Sequence, residues 1–287
     1  MDEPQIFDPW NSECSLITKD EIQEILKNHD INEDIKNIDL YQRAFIHKSY
    51  LIKYLKLNEK YNNTIIEKPE DCLDLQEHSY ERLEYLGDAI LSATIASYLF
   101  ERFPNEDEGF LTRMRTKLVN GEMLGHLAGK MGLEKYLVIS KQILEKNDNK
   151  VSYKILEDMF EALIGALYLD FNEDELEHSR LDFYSGLGFQ ICQVYIINII
   201  EKYVDFTDLI MNDYNYKDKL MKYFQQNNKE ILKYKEIVVE GSGSNRNYTV
   251  CVVRKDNSIL AYGKGPSKKK AEQCASKNAL QKLGLIE

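Results

Sequence analysis

The segment Ile155–Leu169, ILEDMFEALIGALYL, constrains this chain more than any other. Ile155, Leu156, Met159, Phe160, Leu163, Ile164 and Leu167 cover most of a helix's circumference, while Ala162, Gly165 and Ala166 permit close approach of a neighbour. A helix apolar nearly all round belongs inside a core. Asp158 and Glu161 nevertheless sit within it, three residues apart and so on one face. An isolated buried carboxylate is costly, or takes up a proton, unless a cation or paired donor meets it. A second stretch, Tyr80–Leu91 (YERLEYLGDAIL), sets Glu84 and Asp88 four residues apart, with Glu81 one turn earlier. If the two helices cross at these faces, the acids of both converge in a hard, oxygen-rich site of the kind Mg²⁺ or Mn²⁺ prefers. The competing readings are a solvated helix face and buried ion pairs. The near absence of a polar face around Asp158 and Glu161 weighs against the first.

At 287 residues the chain can form one sizeable core and a small second domain. Its 43% hydrophobic and 30% charged residues are those of an ordinary soluble globular protein. The opening MDEPQIFDPW is acidic, with no basic or apolar region of a secretory signal. The apolar run near Ile191–Ile200 is too short to cross a bilayer and contains Gln193 and Asn198. Five scattered cysteines without a CxxC pair read as reduced thiols. The expectation is a cytoplasmic or nuclear protein, neither secreted nor membrane-bound, without structural zinc. The net charge of −11 argues against a nucleic-acid partner only until it is divided. Residues 216–287 hold 15 Lys+Arg and 7 Asp+Glu, or +8, which leaves −19 for the rest. An acidic body joined to a basic nucleic-acid-binding module follows.

Residues 1–17 read as a loosely ordered tail. Thr18 and Glu21 form a capping box before the stripe Ile22, Ile25, Leu26, so a helix starts there. Helical periodicity continues to about Tyr203, interrupted by polar stretches at Asn58–Glu77 and Asn172–Gly188, and the segment GFQICQVYIINIIEKYV predicts a further core helix. A linker is expected over 206–215. Beyond it a short helix at Lys217–Asn227 precedes three Val/Ile/Tyr-rich strands, Lys233–Glu240, Tyr248–Lys255 and Ser258–Tyr262, separated by GSGSN and KDN turns. Ser267 can cap a last helix running to about Leu283. Lys268, Lys269 and Lys270 open that helix, where the macrodipole disfavours cations. A phosphate ligand would reverse the cost, because helix-end amides and lysines then act together. Gly241–Ser244 is glycine-rich but lies between strands, so no nucleotide-binding loop is expected.

ERLEYLGD at Glu81–Asp88 resembles the signature of the ribonuclease III family, divalent-metal endonucleases that cut double-stranded RNA. DMFEALIGALYLD at Asp158–Asp170 is similar to that family's second acidic motif, and AFIHKSY at Ala44–Tyr50 and EGFLTRMRTKLV at Glu108–Val119 match two more segments in order. The order α-β-β-β-α with GPSKKKAEQCASKNALQKL resembles the double-stranded-RNA-binding domain. The resemblance implies a mainly α chain: an all-helical endonuclease domain over 18–205, then a small RNA-binding domain over 216–287. It places metal at Glu84, Asp88, Asp158 and Glu161, with Asp88 and Glu161 catalytic. Mg²⁺ is the implied cofactor and Mn²⁺ a substitute, acting as a pair of ions across an in-line displacement that leaves 5′-phosphate and 3′-hydroxyl staggered ends. Glu81 and Glu108 match family acids, with structural or dimer-contact roles favoured. His47 matches too, as a structural histidine.

The implied RNA contacts are Lys268, Lys269 and Lys270 across the major groove, with Lys222 on the first helix and Asn245 and Arg246 in the first strand connection facing minor grooves. There the chain departs from the family. Asn245 and Arg246 stand where relatives often carry proline and histidine, and Lys222 where an acid is common. The implied partners are double-stranded RNA and a second copy of the chain in a homodimer, with no membrane and no nucleotide cofactor. The alternatives are a catalytically silent duplex binder or scaffold, and a structural component of a ribonucleoprotein; presence of all four acids weighs against both.

Overall fold

A computed structural model describes residues 6–61, 63–172, 186–211, 216–228, 230–241 and 246–286. The chain divides into two compact units, Met1–Phe206 and Thr207–Glu287.

The first unit is helical: β1 (Ile6–Phe7), α1 (Lys19–Lys27), α2 (Ile38–Ala44), α3 (Ile52–Lys60), β2 (Thr64–Ile65), α4 (Glu81–Arg102), α5 (Glu108–Leu118), α6 (Gly121–Lys130), α7 (Lys141–Lys146), α8 (Tyr153–Asn172) and α9 (Leu187–Tyr203). Local sequence explains several starts. Thr18 caps α1 by accepting from the Glu21 amide while Glu21 reaches back to the Thr18 amide at 2.9 Å, the expected capping box. Asp107 and Asn120 cap α5 and α6 in the same way, satisfying amides that a helix end leaves without partners.

α8 runs through the middle of this unit, buried along nearly its whole length from Ile155 to Asn172. Its closest neighbour is α4, and glycine on each helix explains how near they come. A Cβ at Gly87 would lie 1.7 Å from the Glu161 carbonyl oxygen, and one at Gly165 would lie 2.3 Å from that of Leu83. Only the absence of both Cβ atoms lets backbone meet backbone. At the far end of α8, the fully buried Asp170 accepts the Tyr41 hydroxyl at 2.8 Å and the Asn37 amide at 2.7 Å. It ties the start of α2 to the central helix, so this carboxylate is satisfied without a cation. α9, the helix expected from the apolar segment, packs Ile191, Cys192, Tyr195 and Ile199 inward.

Two expectations are corrected. Residues 6–17 are not a loose tail: β1 pairs in parallel with β2, and Trp10, Cys14 and Ile17 are buried. The Trp10 indole donates to the Ile66 carbonyl at 2.7 Å and the Asn11 amide to that of Ile139 at 3.1 Å. The polar stretch Asn58–Glu77 is what holds this segment, through β2 and the buried Cys72 and Leu75 of the same cluster. The expected linker over 206–215 is helical in part, since α10 spans Phe206–Met211. Phe206 is buried at its start, its ring stacked by the Arg102 guanidinium at 4.2 Å from the centroid. Residues 173–185, most of the polar stretch Asn172–Gly188, lie outside the described residues.

The second unit has the expected order: α11 (Tyr216–Asn228), β3 (Lys233–Glu240), β4 (Asn247–Val253), β5 (Ile259–Gly265) and α12 (Lys268–Lys282). The strands form one antiparallel sheet in the order β3-β4-β5. Leu220 and Phe224 of α11, Val252 of β4, and Ala275, Ala279 and Leu280 of α12 share its core. Gly263 admits α12 onto β5, for a Cβ there would meet the Ala275 amide nitrogen at 2.0 Å.

Candidate active site

The α4–α8 crossing sets the acids. Gly87 abuts Glu161, so Glu84 and Asp88, three residues before it and one after, are presented beside the first half of α8. Oxygens of Glu84, Asp158 and Glu161 all lie within 4.8 Å of one another. Asp88 is exposed and lines the same cavity, about 380 Å³, together with Glu81, Glu84, Tyr85, Val119, Lys154, Glu157 and Glu161. The convergence expected of the four acids is thus a tight trio with Asp88 at the rim.

Electrostatics match that geometry. Glu161 is only 6% exposed. Burial first, then the charges of Asp88 and Glu157, push its carboxyl up to about 8. Burial and the adjacent Asp158 likewise raise Glu84. Carboxylates this close cannot all ionise without a positive partner. A positive charge is supplied by Lys154, whose Nζ lies 2.7 Å from Asp158 Oδ1 and 3.3 Å from Glu157 Oε2. Neither Lys154 nor Glu157 was expected at the site. The signal was there in part, since Lys154 and Asp158 are spaced i,i+4 and pair on one helix face.

Neither flanking acid belongs to the trio, although Glu81 lines the same cavity. Glu81 pairs with Lys48 at 3.2 Å and accepts from Ser79. Glu108 is exposed at the start of α5 and accepts the Thr112 hydroxyl at 2.8 Å. His47 is buried, with Nδ1 2.8 Å from Ser49 Oγ and its ring edge-on to Tyr80. Burial and the neighbouring Lys48 push its pKa down to about 4, so it is neutral and positions the turn before α4.

In the second unit Ser267 caps α12 by accepting from the Lys270 amide. Lys268, Lys269 and Lys270 are exposed on its first turn, Lys268 Nζ lying 3.9 Å from Glu236. Lys222 is exposed on α11 and pairs with Asp218 at 2.8 Å. Arg246 is exposed just before β4, while Asn245 lies outside the described residues.

Comparison with known proteins agrees with both units. Residues 81–172 match the Ribonuclease III domain family and residues 216–283 the double-stranded RNA binding motif. A protein of Paramecium bursaria Chlorella virus 1 is 37% identical over 211 residues, 74% of this chain and 70% of that one. Ribonuclease 3 of Bdellovibrio bacteriovorus is 33% identical over 256 residues, 88% of this chain and 92% of the relative. The solved nuclease domain of ribonuclease III from Campylobacter jejuni is 26% identical, with a TM-score of 0.44 over 63% of this chain and 96% of that one. A helical body with an acid-lined cavity, followed by a duplex-RNA-binding unit, defines an RNA-cutting hydrolase. This chain belongs to the ribonuclease III family and is an endoribonuclease acting on double-stranded RNA. No helix among the described residues is long and apolar enough to cross a membrane.

Proposed function

We propose that the chain hydrolyses duplex RNA with the help of a divalent cation held by Glu84, Asp158 and Glu161, with Asp88 completing the set from the rim. The observation that carries this reading is the trio itself, carboxyl oxygens within 4.8 Å of one another on a half-buried cavity wall. The donor set fits the group: all oxygen and potentially anionic, suited to Mg²⁺ or Mn²⁺ and poor for softer ions. When bound, a divalent ion supplies an acidified water and offsets the charge that builds on the phosphate. The chain's own residues do the rest. Glu161 holds a proton near neutrality while the site is bare and gives it up as positive charge arrives. Asp88, beside it and open to solvent, is the acid best placed to meet the attacking water.

The products carry 5′-phosphate and 3′-hydroxyl ends, staggered across the duplex. That outcome calls for two copies of the chain, because among the described residues one copy offers one such acidic cluster and a duplex has two strands. Glu81 and Glu108, each with a partner of its own, take structural or dimer-contact roles. Lys268, Lys269 and Lys270 take backbone phosphates, while Lys222, Arg246 and Asn245 border the minor grooves.

The test is incubation of long duplex RNA with Mg²⁺, with and without EDTA, using the wild type and Glu161→Gln. Cutting by the wild type alone, abolished by EDTA, with duplex binding intact in both proteins, is the expected result. Wild-type cutting by Glu161→Gln would overturn the assignment. Stable binding without cleavage in Mg²⁺, or in a parallel incubation with Mn²⁺, would favour the silent binder.

A further inference from the structure

Glu157 lies outside the four acids that the sequence singles out, yet its carboxylate enters the cavity of Glu84, Asp88 and Glu161. Its side chain is only 16% exposed. Gly121, the first residue of α6, makes the space: a Cβ there would come within 2.5 Å of Glu157 Oε2 and 2.9 Å of Cδ. On its other side stands Lys154, 3.3 Å from Oε2 and also 2.7 Å from Asp158 Oδ1. One ammonium is therefore shared between a carboxylate of the trio and one outside it.

That division matters when a divalent cation enters. The cation and the ammonium compete for Asp158, and the doubly charged ion holds a carboxylate more strongly. The Lys154 side chain is 66% exposed, held at the cavity edge by its two carboxylate partners, so with neither of them it would swing into water. Glu157 lies one residue before Asp158, at i+3 from Lys154 where Asp158 is at i+4, and both positions face the lysine across one turn.

We propose that Glu157 is a positioning residue that would keep the Lys154 ammonium at the cavity wall with Asp158 engaged by a divalent cation, so that the ammonium meets the substrate phosphate. The inference rests on the cation reading above. Without Glu157 the lysine has two poor choices, to block Asp158 or to leave the site. Either one impairs the reaction without weakening the grip of the second unit on RNA.

A double-mutant cycle on the full chain, using Glu157→Gln, Lys154→Met and the pair, tests it in two readouts. In calorimetric titration with Mg²⁺ and no RNA, Lys154→Met binds the ion more tightly because its competitor is gone. Glu157→Gln weakens binding by about tenfold in the wild-type background and by only about twofold when Lys154 is already Met, since groups in direct contact couple in that range. In single-turnover cleavage each substitution slows the rate by about tenfold with RNA affinity unchanged, and the pair is no slower than Lys154→Met alone. Glu157→Asp restores part of the loss. Gly121→Ala, which would push the carboxylate aside, reproduces Glu157→Gln. Additive losses, or a silent Glu157→Gln, would overturn the proposal. Glu161→Gln separates the two ideas: if it is inactive while the cycle is additive, the cation site stands and only the role of Glu157 falls.

Discussion

Gly87→Ala tests whether the helix crossing creates the site. Its Cβ would sit 1.7 Å from the Glu161 carbonyl oxygen, where ordinary contact begins at 3.4 Å. The obstructing atom is helix backbone and cannot rotate away, so α4 and α8 must part by more than an ångström. Overpacking of this kind costs typically about 1–3 kcal/mol, and backbone against backbone belongs at the upper end. For a unit of this size about 3 kcal/mol lowers the melting temperature by roughly 6–12 °C. The separation also carries Glu84 and Asp88 away from Asp158 and Glu161, and a 1 Å misplacement of reacting groups costs about 100-fold in rate. Thermal melting followed by circular dichroism and single-turnover cleavage measure the two effects, while duplex binding through the second unit persists. Gly129→Ala is the control, because nothing lies within 4 Å of its Cβ position. It should be neutral, or stabilising by up to about 1 kcal/mol from helix propensity. If Gly87→Ala melted and cut like Gly129→Ala, the crossing would not be what positions the acids.

Metal removal and pH are coupled through Glu161. Its folded carboxyl titrates near 8, far above an unfolded glutamate, so the folded state binds the extra proton between those two values. Stability of the metal-free protein is therefore full below the unfolded pKa and declines as pH rises toward 8. Mg²⁺ should raise the melting temperature more at pH 8 than at pH 5.5, and a larger effect at the acid end would contradict the assignment. Lys268→Ala with Lys269→Ala should weaken duplex binding and reduce the slope of log affinity against log salt by about 0.9 per lost phosphate contact, read by filter binding at several salt concentrations. An unchanged slope would remove both lysines from the RNA surface.

The second unit was legible because its punctuation is local. Ser267, the strand-ending glycines and the Val/Ile/Tyr runs place each element within a few residues of where it lies. The capping box at Thr18 and the nearly all-apolar α8 were legible for the same reason, and Asp158 and Glu161, acids within that apolar helix, point to the site without reference to its partner helix. What escaped depends on contacts distant in sequence. Trp10, Cys14 and Ile17 have no period that would mark them as buried; Trp10 finds its partner at Ile66, and Cys14 at Leu137 and Ile139. Phe206 looked like linker until Arg102 and Tyr98 covered it. Glu157 carries no signal of its own in the sequence, since the room it occupies depends on the bare Gly121, 36 residues away.

The parallel pairing of β1 with β2 joins two segments distant in sequence into one device. Trim the loop that carries Ile66 and the indole of Trp10 loses both its acceptor and its cover; shorten the leading residues and that loop's apolar side is stripped bare. Neither can be pared back alone without exposing grease, so any streamlined version of this enzyme must discard both together.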